Sequence, residues 1–287
     1  MESQDAPVRL FRSVLYIPAS KPRAMEKAQG LAADAIIFDL EDAVMPQEKV
    51  QARGMLAGVL ANLDFGARLR IVRINGLDSV WGRDDALAFA GHAGVDAILI
   101  PKVSRAADLE AMAALAPGKP LWVMMETALG YLNAVEIAAH PMTTGMVMGT
   151  NDLGKELGAR FRADRLPLMA GLGLGLMAAR AYGRVIVDGV FNAYLDDAGL
   201  EAECAQGRDM GFDGKTLIHP GQIAIANRAF APSEAEIDLA TRQIAAFAAA
   251  ASAGQGVAVL DGKIVENLHI VTARTVLAKA RAIAARE

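Results

Sequence analysis

A single cysteine, Cys204, stands in 287 residues. One thiol cannot close an internal disulfide, and it cannot furnish a cysteine-rich zinc site. No excess of charge is present either: 29 Lys and Arg face 33 Asp and Glu, a formal net charge of −4. No basic block, and no basic stripe interleaved with aromatics, occurs along the chain, which argues against nucleic acid as a partner. A few lysines and arginines remain for a small anionic ligand. Long apolar runs are missing as well. The opening MESQDAPVRLFRS lacks the apolar core of a signal peptide. The alanine-rich AAFAAAASAG is too brief to span a bilayer. A cytoplasmic protein with no membrane partner is expected.

Apolar residues nevertheless make up 53% of the chain, and they fall in short runs. Eight have β character: SVLYIP (13–18), DAIIFDLED (34–42), LRIVRIN (69–75), VDAILIPK (95–102), PLWVMMET (120–127), GMVMGTND (145–152), RVIVDGV (184–190) and GKTLIHP (214–220). Helix-forming stretches separate them, at 22–31, 47–62, 83–93, 104–116, 129–139, 168–182 and 197–210. Strand alternating with helix in this way predicts an α/β fold, a parallel (β/α)8 TIM barrel. A doubly wound open sheet is the alternative, and eight strands within about 230 residues favour the barrel.

After Phe230 the pattern changes. APSEAEIDLATRQIAAFAAAA opens with proline and acidic residues, as a helix N-terminus prefers. AVLDGKIVENL follows, with Asp261-Gly262 as a hairpin turn, and a helix closes the chain from about Leu268. The expected division is a catalytic barrel over 1–230 and a C-terminal helical and hairpin segment over 231–287. That segment is too small to bury much alone. It is expected to dock as a lid or oligomer contact, on its own barrel or a neighbour's.

In a parallel barrel the chemistry sits where strands end. Glu126 ends one run too apolar to be an amphipathic helix, and Asp152 ends the next. A carboxylate at such a position is costly unless it meets a cation or a hydrogen-bonding ligand. Two on consecutive strands suggest a shared divalent metal, and a rim of oxygen ligands suits Mg²⁺ (or Mn²⁺). Arg73, flanked by isoleucines, wants a bidentate anion, either a protein carboxylate such as those of the DLED segment or a substrate one. Lys102 reads as structural, although a Schiff-base role is conceivable for a strand-end lysine. His219 at the eighth strand end could contact a ligand. GLGLGL (171–176) follows no clear strand and has no phosphate lysine, so it reads as helix packing.

RSVLYIPASKPR, IIFDLEDAV, IVRIN, MMET, GTNDL and KTLIHP occur together and in this order. With them the chain resembles the HpcH/HpaI aldolase and citrate lyase β-subunit family, whose members cleave or hydrolyse 3-hydroxyacyl thioesters. The resemblance spans essentially the whole chain, GKIVENLH included. It implies Mg²⁺ held by Glu126 and Asp152, and Arg73 gripping the substrate carboxylate or carbonyl oxygen. It further implies coenzyme A contacts at Tyr16, Lys21 and Lys27, and backbone hydrogen bonds to the bound acid from Leu153 and Gly154. A homo-oligomer, trimer or hexamer, is implied, with the C-terminal segment of one subunit closing the site of another. Where many lyases of the family carry a catalytic aspartate, Glu266 stands here. The added methylene displaces the carboxylate, which disfavours C–C cleavage and suits water activation. The expected activity is hydrolysis of (3S)-malyl-CoA, or a close 3-hydroxyacyl-CoA, to malate and CoA. The alternatives are a malyl-CoA or citramalyl-CoA lyase and, of another class, a citrate-lyase-type subunit dependent on an acyl carrier protein.

Overall fold

The computed structural model describes residues 8–286. The eight runs form parallel strands: β1 Ser13–Pro18, β2 Ala35–Asp39, β3 Leu69–Arg73, β4 Ala97–Ile100, β5 Leu121–Met125, β6 Thr143–Met148, β7 Val185–Asp188 and β8 Gly214–Leu217. They close in chain order into a barrel, β1 pairing with β8. Around them lie α1 Pro22–Ala28, α2 Lys49–Asn62, α3 Gly82–Ala90, α4 Ala106–Leu115, α5 Ala128–Leu132, α6 Ala134–Ala139, α7 Thr150–Glu156, α8 Met169–Ala181, α9 Asp197–Met210 and α10 Ile223–Ala229. The α/β barrel expected from the alternation is the fold.

Side chains alternate between the two faces of a strand, and the alternation divides the core in two. Val14, Ile37, Ile71, Leu99, Trp122, Val147 and Val187 fill the barrel interior. Ile36, Phe38, Val72, Ile98, Val123, Met146 and Ile186 face the helices in a larger outer core. Both faces of β1 to β7 are thereby largely apolar, which is why those runs read as continuous rather than alternating. Trp122 is the bulkiest interior residue, and its ring lies where a side chain on Gly145 would stand, 2.2 Å from a built Cβ.

Two boundaries differ from expectation. The 129–139 helix breaks at Asn133, which leaves helical geometry and donates its Nδ2 to the Ser104 carbonyl at 2.9 Å. The sixth strand stops at Met148, and Gly149 turns the chain into α7. Asp152 therefore lies in the first turn of a helix and not on a strand end, where an acidic residue complements the helix dipole.

By internal contacts the chain divides into two compact units, Phe11–Phe230 and a second formed by the stretch from Ala231 with the described residues preceding Phe11. The second holds α11 Glu234–Ser252, β9 Ala258–Leu260, β10 Lys263–Val265 and α12 Asn267–Ala284. Ser233 and Glu236 form a reciprocal capping box at the start of α11. Leu260 pairs with Lys263 across Asp261 and Gly262, both at positive φ, 50° and 74°, as a tight two-residue hairpin requires. Ala258, Val265 and Ile270 make a small core of their own with Ile244 and Phe247.

The Gly145→Ala methyl would collide with the Trp122 ring, and overpacking of this kind costs about 1–3 kcal/mol. The thermal midpoint followed by circular dichroism should fall by several degrees. A midpoint unchanged within one degree would show that the ring does not fill that space.

Candidate active site

The inward stripe of each strand changes character at the C-terminal mouth. Val14 is succeeded by Tyr16, Ile37 by Asp39, Ile71 by Arg73 and Met124 by Glu126. These residues line one cavity of about 300 Å³, together with Asp42, Gly149, Thr150, Asn151, Asp152, Asn192 and Thr216. Apolar layers below and charge above follow from the two-residue period alone.

Arg73 organises the mouth. Its Nε and Nη2 donate to the two carboxylate oxygens of Asp39 at 2.7 and 2.6 Å. Asp39 also accepts the backbone N–H groups of Glu41 and Ala43, so it is fully engaged and buried. Arg73 Nη1 lies 2.8 Å from Glu41 and 3.3 Å from Asp42, and Tyr16 stacks on the guanidinium with its centroid 5.1 Å away. The protein thus takes the bidentate edge that the sequence left open between a protein and a substrate anion. What remains for a ligand is the Nη1 side. Its contact with Asp42 is long, and Asp42 is the one partner that is mostly exposed (61%).

The turn carrying these carboxylates is tied from below by a residue the sequence reading missed. Lys49 is buried, and its ammonium donates to the carbonyls of Leu40 and Glu41 and to Asn75 Oδ1 at 2.6–2.9 Å. Burial pulls its pKa down, against the pull of Asp39 and Glu41. Its place at the start of α2 gave no signal, because a lysine early in a helix is ordinarily a solvated one.

Glu126 is almost wholly buried (2% exposed). Its Oε1 accepts the N–H of Lys102 at 2.7 Å. Lys102 adopts a left-handed backbone, φ 53°, uncommon for a residue with a side chain, and its Nζ reaches Glu41 at 2.5 Å. Oε2 of Glu126 has no hydrogen-bond partner among the described residues and lies against Gly149, where a built Cβ would stand 2.8 Å from it. Burial, then the negative charges of Glu41 and Asp152, push the Glu126 carboxyl up to about 7 against Lys102 and Arg73. Burial chiefly raises Glu41 too.

A buried glutamate with one carboxylate oxygen free of any hydrogen-bond partner among the described residues, beside further carboxylates that outnumber Arg73 and Lys102, fits a small divalent cation. Among the described residues no three His, Cys, Asp or Glu side chains gather as a ligand set. The protein side would be Glu126 with Asp152, few enough ligands for Mg²⁺.

The other expected positions fare differently. Tyr16 lines the cavity, and its hydroxyl reaches Met124 Sδ at 3.3 Å; burial raises its pKa. Lys21 and Lys27 are exposed and outside the cavity. Lys21 immediately precedes α1 at the mouth, and Lys27 lies roughly 9 Å further along that helix at about 1.5 Å per residue. Leu153 and Gly154 do not line the cavity. The Leu153 N–H already donates to the Gly149 carbonyl at 3.1 Å, and Gly154 packs against Phe161. Among the described residues the first-turn N–H groups of α7 without an acceptor are those of Thr150, Asn151 and Asp152, all cavity residues. His219 is exposed, accepts the Gly221 N–H and stacks on Tyr194. Asp188 points outward, away from the mouth, because Val187 holds the inward position. Glu266 belongs to the C-terminal unit, exposed at the start of α12, where its N–H donates to His269 Nδ1 at 3.0 Å.

The closed parallel barrel and the acidic mouth at its strand ends are the architecture of a barrel enzyme. The HpcH/HpaI aldolase/citrate lyase family model matches residues 12–220, and the chain belongs to that family. It is 72% identical over 275 residues to a (3S)-malyl-CoA thioesterase of Cereibacter sphaeroides, covering 96% of each chain. It is 35% identical to an L-malyl-CoA/beta-methylmalyl-CoA lyase of the same organism, covering 97% of each. Among solved structures, CitE of Mycobacterium tuberculosis in complex with magnesium, acetoacetate and coenzyme A superposes with a TM-score of 0.81 at 32% identity, covering 94% of this chain and 97% of that one.

With Glu126 as a ligand, its deprotonation would be coupled to cation binding, so Mg²⁺ affinity measured by calorimetry should rise from pH 6 through about 7 and level off above it. Below the Glu126 pKa the expected slope approaches tenfold per pH unit. Glu126→Gln should weaken binding at least tenfold and flatten the profile. A wild-type affinity constant between pH 6 and 8 would contradict this account.

Proposed function

We propose that the chain hydrolyses (3S)-malyl-CoA, or a close 3-hydroxyacyl-CoA, to the free acid and CoA, with Mg²⁺ (or Mn²⁺) held by Glu126 and Asp152. One observation carries the reading: the Nη1 side of Arg73, shared by Glu41 at 2.8 Å and the mostly exposed Asp42 at 3.3 Å, lines one cavity with Glu126, a buried residue whose Oε2 has no hydrogen-bond partner among the described residues. The 72% identity to a thioesterase of that substrate supports it.

Bound at the mouth, the cation would polarise substrate oxygens and neutralise the carboxylates. Arg73 receives the terminal carboxylate of the acyl group on its Nη1 side as Asp42 swings to solvent. Asp39 keeps the guanidinium planar to the strand ends, so little ordering accompanies binding. The N–H groups of Asn151 and Asp152 replace those of Leu153 and Gly154 as donors to the acid. Tyr16 walls the cavity under the thioester, and Lys21 and Lys27 meet the phosphates of CoA along the outer face. Residues 231–287 serve as a lid in a homo-oligomer, trimer or hexamer. Glu266 on that lid takes a proton from the water that attacks the thioester carbonyl, and the thiol of CoA leaves.

Lyase chemistry is the second reading, favoured by the 35% identity to a malyl-CoA lyase. There the C–C bond breaks and glyoxylate forms beside acetyl-CoA.

The two separate in one assay that follows free thiol and glyoxylate together from (3S)-malyl-CoA. Thiol without glyoxylate is expected, and chelation of divalent cations should abolish it. Stoichiometric glyoxylate would establish the lyase instead; absence of both would defeat the proposal. Glu266→Gln should lower kcat about 100-fold or more with KM little changed, as loss of a proton-transfer group does. Arg73→Gln should lower kcat/KM at least 100-fold. Retained activity in either variant would remove that residue from its role.

A further inference from the structure

A second cavity, of about 270 Å³, adjoins the first. Thr150, Asn151, Val190 and Asn192 line both. Between the two, the amides of Asn151 and Asn192 exchange hydrogen bonds at 2.8 and 3.3 Å, forming a partition of two side chains.

Arg165 lies on the far side of that partition. It is 5% exposed and held at φ 52°, a left-handed backbone uncommon for arginine. Its Nε donates to Gln206 at 2.7 Å, and its Nη1 donates to both oxygens of Asp188 at 2.7 and 2.8 Å. Nη2 is buried and has no partner among the described residues. Buried guanidinium nitrogens are ordinarily satisfied, and an exception asks for a ligand. The charge of Arg165 is matched within the protein: Asp188 and Glu203 face Arg165 and Lys215. An anion would therefore add to a neutral cluster, and the cation that offsets it stands at the rim. Arg160 lines the same cavity, is exposed, and makes no ion pair or hydrogen bond among the described residues. The neighbouring Arg162 is instead closed by Asp164 at 2.6 and 2.9 Å. Phe161 and Phe191 supply apolar walls.

We infer that this cavity is a second binding site, for a small organic carboxylate, with Arg165 Nη2 hydrogen-bonding the carboxylate and Arg160 offsetting its charge. The aromatic walls suit a short carbon chain better than an inorganic oxyanion, whose every face needs a donor. Two sources share this chemistry: the far carboxylate of a longer dicarboxylic acyl chain passing the Asn151–Asn192 partition, or a separate free acid.

Binding is read without turnover, so the outcome does not hinge on the proposed activity. Succinate and glutarate are titrated calorimetrically into the full-length protein with chelator present, and into Glu126→Gln, Arg160→Gln and Arg165→Gln. Binding should persist in Glu126→Gln and weaken at least tenfold in both arginine variants. Arg160→Gln, at an exposed position, keeps the test valid should Arg165→Gln fail to fold. No binding, loss confined to Glu126→Gln, or inorganic phosphate binding as tightly as either acid would overturn the site. Kinetics then assign the source. If the acyl chain itself reaches the cavity, Arg160→Gln raises KM at least tenfold for a six-carbon dicarboxyl thioester and not for the four-carbon one. If a free acid binds, added succinate alters the wild-type rate and loses that effect in Arg160→Gln.

Discussion

The bidentate pair of Arg73 with Asp39 is the constraint on which the mouth depends. Asp39 ends β2 and Arg73 ends β3, directly opposite in register. Neither charge could remain buried alone, since an unpaired charge in a low-dielectric interior is strongly unfavourable. Together they set the height at which the barrel interior turns from apolar to charged. Everything above is arranged by reference to that pair: Glu41 and Asp42 on the Nη1 side, Tyr16 on the guanidinium face, and the Lys49 ammonium beneath the turn.

A second pair of features arranges Glu126. The left-handed backbone of Lys102 directs an N–H at Oε1, and the missing side chain of Gly149 leaves room beside Oε2. One oxygen is fixed and the other is free. That asymmetry keeps the carboxylate oriented while leaving its second oxygen available to a ligand, a form of preorganisation. The raised Glu126 pKa is the electrostatic counterpart, the response of a buried carboxyl with carboxylate neighbours.

Charge is handled differently on the opposite side of the strands. Asp188 and Lys215 face outward in register and are completely buried with Arg165 and Glu203. Burial pushes the Asp188 carboxyl up, yet Lys215 and Arg165 outweigh it and hold it below the usual carboxylate range. A paired cluster of this kind fixes β7 and β8 against α9. The mouth carries carboxylates in excess, whereas the buried cluster is balanced.

Much of this was legible in the sequence because periodicity is a local property. Eight apolar runs separated by helix formers imposed the barrel, and a two-residue period placed Asp39, Arg73 and Glu126 on one stripe at one end. Asp261-Gly262 declared its turn because only a few residue pairs tolerate two positive φ angles. The tertiary structure decided what depends on which groups meet. It showed that Asp39 takes the bidentate edge of Arg73, that α7 begins at Thr150 and turns Leu153 and Gly154 out of the cavity, and that Lys49 braces the DLED turn. Arg165 and Arg160, five positions apart in a stretch without regular pattern, could be joined to Asn151 and Asn192 only in three dimensions. Which side of a strand a residue faces is written in its neighbours along the chain; which partner waits there is set by chain segments far away in sequence.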